Sequence, residues 1–169
     1  MLRPADLGDL AFYVELRNHP DVLESPGREP RPRSEVERQL RGWIERWREY
    51  GFGAWTVFAY KTMERLGRVE FDPIGPGWPE IAPDEIEVGC IVHPTYWSQG
   101  IATEATEIAV EDFFTRADRH RLVALTTIDN RAALRAIEKL RMRRCGETHA
   151  EGDETTYILF EVLRPLQAV

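Results

Sequence analysis

The chain has 169 residues, 43% hydrophobic and 30% charged, the balance of a globular protein with one core. Its net charge of −7 lacks the basic excess of a nucleic-acid binder. No run of about 18 apolar residues exists to make a membrane span, so neither nucleic acid nor membrane is an expected partner.

Met1 to Asp6 lack the long apolar segment of a secretory signal, so a cytoplasmic protein is the expectation. A helix is predicted from Asp6, a suitable N-cap, to Asn18, with Leu7, Leu10 and Val14 at helical spacing and Pro20 ending it. The prolines of Ser25 to Arg33 predict a loop, and its arginines Arg28, Arg31 and Arg33 read as a solvated basic cluster. A second helix is predicted from Ser34, where Ser34 and Glu37 have the spacing of a capping box. Its stripe is Val36, Leu40, Trp43, Ile44 and Trp47, and Gly51 and Gly53 close it.

Trp55 to Tyr60 and Leu66 to Phe71 read as a hairpin. The Pro- and Gly-rich stretch from Asp72 to Pro83 is loop, with Trp78 placed either to cover a substrate or to cap the core. Glu85 to Val92 is the central strand, followed by a helix over Ile101 to Arg116. That helix buries Ile101, Ala105, Ile108, Ala109 and Phe113, and turns Glu104, Glu107 and Glu111 outward. Leu122 to Ile128 is a strand, and Asp129 or Asn130 caps a helix whose inner face is Ala133, Ala136, Ile137 and Leu140. Arg144 to Ala150 and Thr155 to Leu163 form a last hairpin. Strand–helix–strand implies a parallel pair with a right-handed crossover, and the hairpins are antiparallel. The fold class is therefore α+β, a mixed sheet with packed helices in one domain spanning residues 1–169.

Nucleotide hydrolysis, dinucleotide binding and serine-elbow chemistry all lack their signatures. The two cysteines, Cys90 and Cys145, make neither a disulfide framework nor a zinc cluster, and the four histidines lack metal-ligand spacing, so no metal is expected. What remains is the junction from Val88 to Ala105, where an apolar strand runs through a short loop onto a helix. The first turn of a helix has N–H groups without intrahelical partners, and its dipole favours phosphate. Gly100 permits either close approach or a positive φ, and amides from Gln99 to Thr103 can cradle a pyrophosphate.

The run Ile86 to Ala105, I-E-V-G-C-I-V-H-P-T-Y-W-S-Q-G-I-A-T-E-A, resembles the acetyl-CoA motif of the GNAT N-acetyltransferases. Its nearest likeness is the RimJ/RimL-type branch, roughly P-x-Y/F/W-W-G-x-G-Y/I-A-T/S-E-A. Asn130 to Leu140, N-R-A-A-L-R-A-I-E-K-L, resembles that branch's second motif, and Leu2 to Asp6 with Arg17 to Val22 match its opening. The likeness implies the GNAT fold, with helices on both faces and a splayed gap between the fourth and fifth strands. It implies acetyl-CoA as co-substrate, with the pantetheine arm on main-chain groups of Ile91 and Val92. Gln99, Gly100, Ile101, Ala102 and Thr103 would bind the pyrophosphate, Asn130 the pantetheine, and the helix carrying Ala133 would line the cofactor.

The reaction implied is direct attack of a primary amine on the thioester: a protein N-terminus, an aminoglycoside-like antibiotic or another small amine. The acidic net charge fits a cationic acceptor, and the family makes a homodimer plausible. Glu87 matches the acidic residue before the family's glycine and is the candidate base; its other reading is a strand glutamate paired with a surface arginine. Glu85 and His149 are weaker candidates.

This chain departs from the pattern in four places. Ala133 replaces a serine proposed to protonate the thiolate, and Ile137 stands where other branches have tyrosine. Arg141-Met142 replaces Gly-Phe, and Ser98 replaces a glycine, which is tolerable at ordinary backbone angles. The absent acid leaves a rival, a non-catalytic acyl-CoA-binding or sensing module.

Overall fold

The computed structural model describes residues 1–25 and 28–165. Seven strands form one mixed sheet: β1 Leu2–Pro4, β2 Ala54–Phe58, β3 Arg65–Pro73, β4 Ile86–Val92, β5 Arg121–Thr127, β6 Arg143–Thr148 and β7 Tyr157–Leu163. Their order is β1-β2-β3-β4-β5-β7-β6. Five helices accompany them: α1 Leu10–Asn18, α2 Pro20–Leu23, α3 Arg33–Tyr50, α4 Ile101–Arg116 and α5 Arg131–Lys139. Among the described residues no helix is long and apolar enough to cross a membrane.

The side-chain alternation of strands divides the core into two layers. Trp55, Val57, Val69 and Phe71 face the side holding Ala109, Phe113 and Ile137 of α4 and α5. Ala54 faces the other side, where Leu10, Tyr13, Val36, Leu40 and Trp43 of α1 and α3 pack. Helices therefore cover both faces. Thr56 Oγ1 donates to the buried Asp9 at 2.7 Å and lies 2.8 Å from the Tyr13 hydroxyl, which must then be the donor to it. This chain ties α1 to β2.

Several boundaries differ from expectation for local reasons. Asp6 caps a single 3₁₀ turn, Leu7–Asp9, with Asp9 completing its capping box, so α1 starts at Leu10. Pro20 sits at the start of α2, where its missing N–H is harmless, and His19 Nδ1 accepts the Asp21 N–H. The Ser34–Glu37 capping box does not form, because Pro32 takes the N-cap position. Of the predicted loop Ser25 to Arg33, Pro26 and Gly27 lie outside the described residues, and Arg33 already belongs to α3. The outer strands shift too: β2 begins at Ala54 and stops at Phe58, β3 extends to Arg65–Pro73, and β5 ends before the exposed Ile128. The last hairpin is Arg143–Thr148 with Tyr157–Leu163. In α4, Ile108 faces solvent and Thr106 takes a buried place. Trp78 caps the core: it meets Tyr157 edge to face, over the cluster of Ile81, Val123 and Leu159.

Strands β4 and β5 position the site. They are parallel and pair only at Glu87↔Val123, whereas β3 follows β4 from Gly67↔Val92 to Pro73↔Ile86. Beyond Glu87 the two strands part.

Candidate active site

A cleft of about 640 Å³ fills the split. One half is lined by the start of α4 and the inner face of α5, the other by β3, Val22, Ser25, Arg28 and Gln39.

In the first half, Gly100 is the N-cap of α4 at φ 82°, and Glu104 N–H closes the first turn on Gly100 O. The N–H groups of Ile101, Ala102 and Thr103 precede that bond and have no intrahelical acceptor. A Cβ at Gly100 would meet nothing within 4 Å, so glycine is needed there for its angle and not for space. Ser98 has φ 62°, in the left-handed region, which corrects the expectation of ordinary angles. Trp97 Nε1–H donates to Val92 O at 2.6 Å and ties the loop to the end of β4. His93 N–H bonds Leu66 O, so by strand alternation Ile91 turns its main-chain groups to β3, while Cys90 and Val92 turn theirs to the split. Asn130 Oδ1 accepts the Ala133 N–H at 3.1 Å and caps α5. Asn130, Ala133, Ala136, Ile137 and Leu140 all line the cleft, as do two cations that sequence reasoning passed over, Arg135 and Lys139.

In the second half, Glu87 is half-buried at the root of the split. Burial pushes its carboxyl up to about 7; the Leu125 amide opposes this, Glu70 and Asp72 add to it, and Arg28 opposes it. A carboxyl poised there can accept a proton near neutral pH. Glu87 has no ion pair among the described residues, so the surface-pair reading of it does not hold. The weaker candidates lie elsewhere: Glu85 stands 3.7 Å from Arg121, and the exposed His149 contacts Thr155 O.

Sequence reasoning missed Glu70 and Asp72, which register brings to the same face as Glu87, Asp72 opposite Glu87 and Glu70 opposite Gly89. The only signal was the charged alternation Arg68, Glu70, Asp72 in an otherwise apolar strand. Cys90 also lines the cleft, and burial pushes its thiol up to about 12, with Thr106 opposing, so it stays protonated. Thr126 adds a buried hydroxyl without a partner among the described residues, while the positions where a donor was sought carry the methyl of Ala133 and the alkyl chain of Ile137.

The family profile for the acetyltransferase (GNAT) domain matches residues 1–143. The chain belongs to the GNAT acetyltransferase family. An uncharacterized N-acetyltransferase of Bacillus subtilis, YnaD, is 33% identical over 60 residues, a match spanning 36% of this chain and 35% of that protein. An acetyltransferase from Agrobacterium tumefaciens superposes with a TM-score of 0.79 at 20% identity, covering 96% of this chain and 90% of that one. RimL, a ribosomal alpha-N-protein acetyltransferase solved in complex with coenzyme A, superposes at 0.74 with 18% identity, covering 96% and 92%. These two structures share the fold.

Proposed function

We propose that the protein is an acetyl-CoA-dependent N-acetyltransferase acting on a primary amine. The observation that carries this reading is the sharing of one cleft by the free amides of α4 and the raised carboxyl of Glu87. The donor set fits acetyl-CoA. The N–H groups of Ile101, Ala102 and Thr103, with the loop amides of Gln99 and Gly100, suit its pyrophosphate. The edge of β4 at Cys90, with the N–H of Val92 whose carbonyl is held by Trp97, suits the amides of its pantetheine arm, and Ile91 supports that edge through β3. Asn130 has its amide nitrogen left for the same arm, and Ala133 leaves room beside it. Arg135 and Lys139 suit the remaining phosphate.

Glu87 accepts the proton that an ammonium must lose before it can attack a thioester. Its raised pKa makes that transfer feasible near neutral pH without trapping a permanent charge. The free thiol of Cys90 does not compete as a nucleophile.

Thiol release from acetyl-CoA in the presence of a panel of amines tests the reaction, and a thermal shift with acetyl-CoA tests the binding step. A rise in melting temperature with amine-dependent thiol release is expected. No thermal effect at millimolar acetyl-CoA overturns the reading.

A further inference from the structure

We propose that the acceptor amine also carries a carboxylate, and that Arg28, supported by Arg17, binds that anion beside Glu87. The inference rests on the acetyl-transfer reading and names its acceptor class.

Local charge in the acceptor half runs against the acidity of the whole chain. The two β3 carboxylates are already neutralised: Glu70 by Arg68 at 2.9 Å, and Asp72 by Arg46 and the Trp43 indole N–H at 2.9 Å. Glu87 holds a proton up to about neutrality. The charges left over are positive. Arg28 lines the cleft, and among the described residues neither Arg28 nor Arg17 has a carboxylate within ion-pair distance.

Arg17 is the more telling of the two. It is 6% exposed on α1, and its Nη1 is buried with no hydrogen-bond partner among the described residues; Arg68 Nη1 is in the same position. Burying an uncompensated charge is costly, and packing it against like charges is costlier. Burial is the main reason the Arg17 guanidinium is held down to about 10, and the charges of Arg28, Arg31 and Arg68 add to it. Arg28 is lowered for the same first reason, opposed by Glu70. An anion entering beside Arg28 would offset these costs.

Arg28 and Glu87 line the same cleft, so one small molecule can meet both the cation and the proton acceptor. An amine nitrogen at Glu87 with a carboxylate at Arg28 describes an amino acid or a close analogue. Polyamines and aminoglycosides would bring a second cation and leave Arg28 without an anion.

The test uses matched pairs: leucine, methionine, phenylalanine and glutamate against their carboxamides, with thiol release measured at saturating acetyl-CoA. A charge-assisted contact predicts kcat/KM about tenfold or more higher for the free acids. Arg28→Gln should remove that preference for acids over amides and leave acetyl-CoA affinity unchanged. Arg28→Lys should restore part of it.

Amides equal to or better than acids would overturn the proposal. So would loss of acetyl-CoA affinity in Arg28→Gln, which would assign the arginine to the cofactor. Turnover of spermidine or kanamycin without turnover of the acids would overturn it while leaving acetyl transfer standing. If neither series turns over, calorimetric titration of the pairs into CoA-loaded protein decides, and equal or absent binding of the acids overturns it.

Discussion

Glu70 lies across the β3–β4 pair from Gly89, and a Cβ at Gly89 would stand 3.1 Å from Glu70 Oε1. The missing side chain at Gly89 is what lets the Glu70 carboxylate lie over β4 and accept the Arg68 guanidinium. Gly89→Ala should push that carboxylate a few tenths of an ångström into the acceptor half. The expected result is a KM for the acceptor raised roughly 3- to 10-fold, about 1 kcal/mol, with acetyl-CoA affinity unchanged. Steady-state kinetics with each substrate varied separately checks it.

Glu87 gives a pH dependence of defined sign. Acceptance of a proton requires the ionised carboxylate, so kcat/KM should rise as pH passes through about 7 and level off above it. Glu87→Gln should flatten that limb and lower turnover about 10²-fold or more, the contribution typical of a general base. Stability should move the other way. The folded carboxyl binds its proton more tightly than the ordinary value of 4.5, so folding stability falls as pH rises from there to about 7 and is level beyond. Glu87→Gln removes the penalty and should melt higher than wild type at pH 8, by roughly 2–4 °C for each kcal/mol relieved. At pH 4 the two should melt together.

How much of this was legible in the sequence depended on the range of the interaction. Periodicity within one segment placed α4 and β4 to the residue at their outer ends, since Ile101, Ala105 and Phe113 repeat helically and Val92 closes an apolar run. The strand–loop–helix junction at Gly100 was legible because its glycine, loop and helix adjoin in the chain. The half of the cleft lined by β3 was not. Glu70 and Asp72 reach Glu87 only through the β3–β4 register, set across the long loop that follows Pro73. A charged strand alternation reads locally as a solvated face, and Arg17 reads as the polar side of a helix although it is buried. β1 is three residues with a proline and has no period to detect.

Among the described residues three non-glycine positions have a left-handed φ, Met63, Ser98 and Arg141, and the last two should gain stability from glycine. Arg141, at φ 54°, follows α5 in a Schellman arrangement: its N–H bonds Glu138 O, and Met142 N–H bonds Ile137 O. Met142 then packs into the core with Ile137. Ser98 has φ 62° in the cradle loop. The left-handed cost is about 1–2 kcal/mol for an L-residue, and the added freedom of glycine in the unfolded chain offsets about 0.5–1 of it. Arg141→Gly and Ser98→Gly should each raise the melting temperature by a few degrees, roughly 2–4 °C per kcal/mol. Ser98→Gly should leave acetyl-CoA affinity intact or improved.

Gly100 separates a requirement for backbone angle from a requirement for space. It initiates α4 at φ 82°, and nothing lies within 4 Å of the position a Cβ would take. Asparagine enters the left-handed region at modest cost, whereas a β-branched residue there is a genuine outlier. Gly100→Asn should therefore keep the amides of Ile101, Ala102 and Thr103 aimed at one point and hold acetyl-CoA affinity within a few-fold. Gly100→Val should force the loop out of that conformation and weaken acetyl-CoA at least about tenfold, 1.4 kcal/mol or more. Isothermal titration with coenzyme A and acetyl-CoA on both variants, with melting curves to confirm folding, reads the difference. Equal loss in the two variants would mean that the side chain obstructs the ligand's path, and equal retention would mean that the pyrophosphate is held elsewhere than on the first turn of α4.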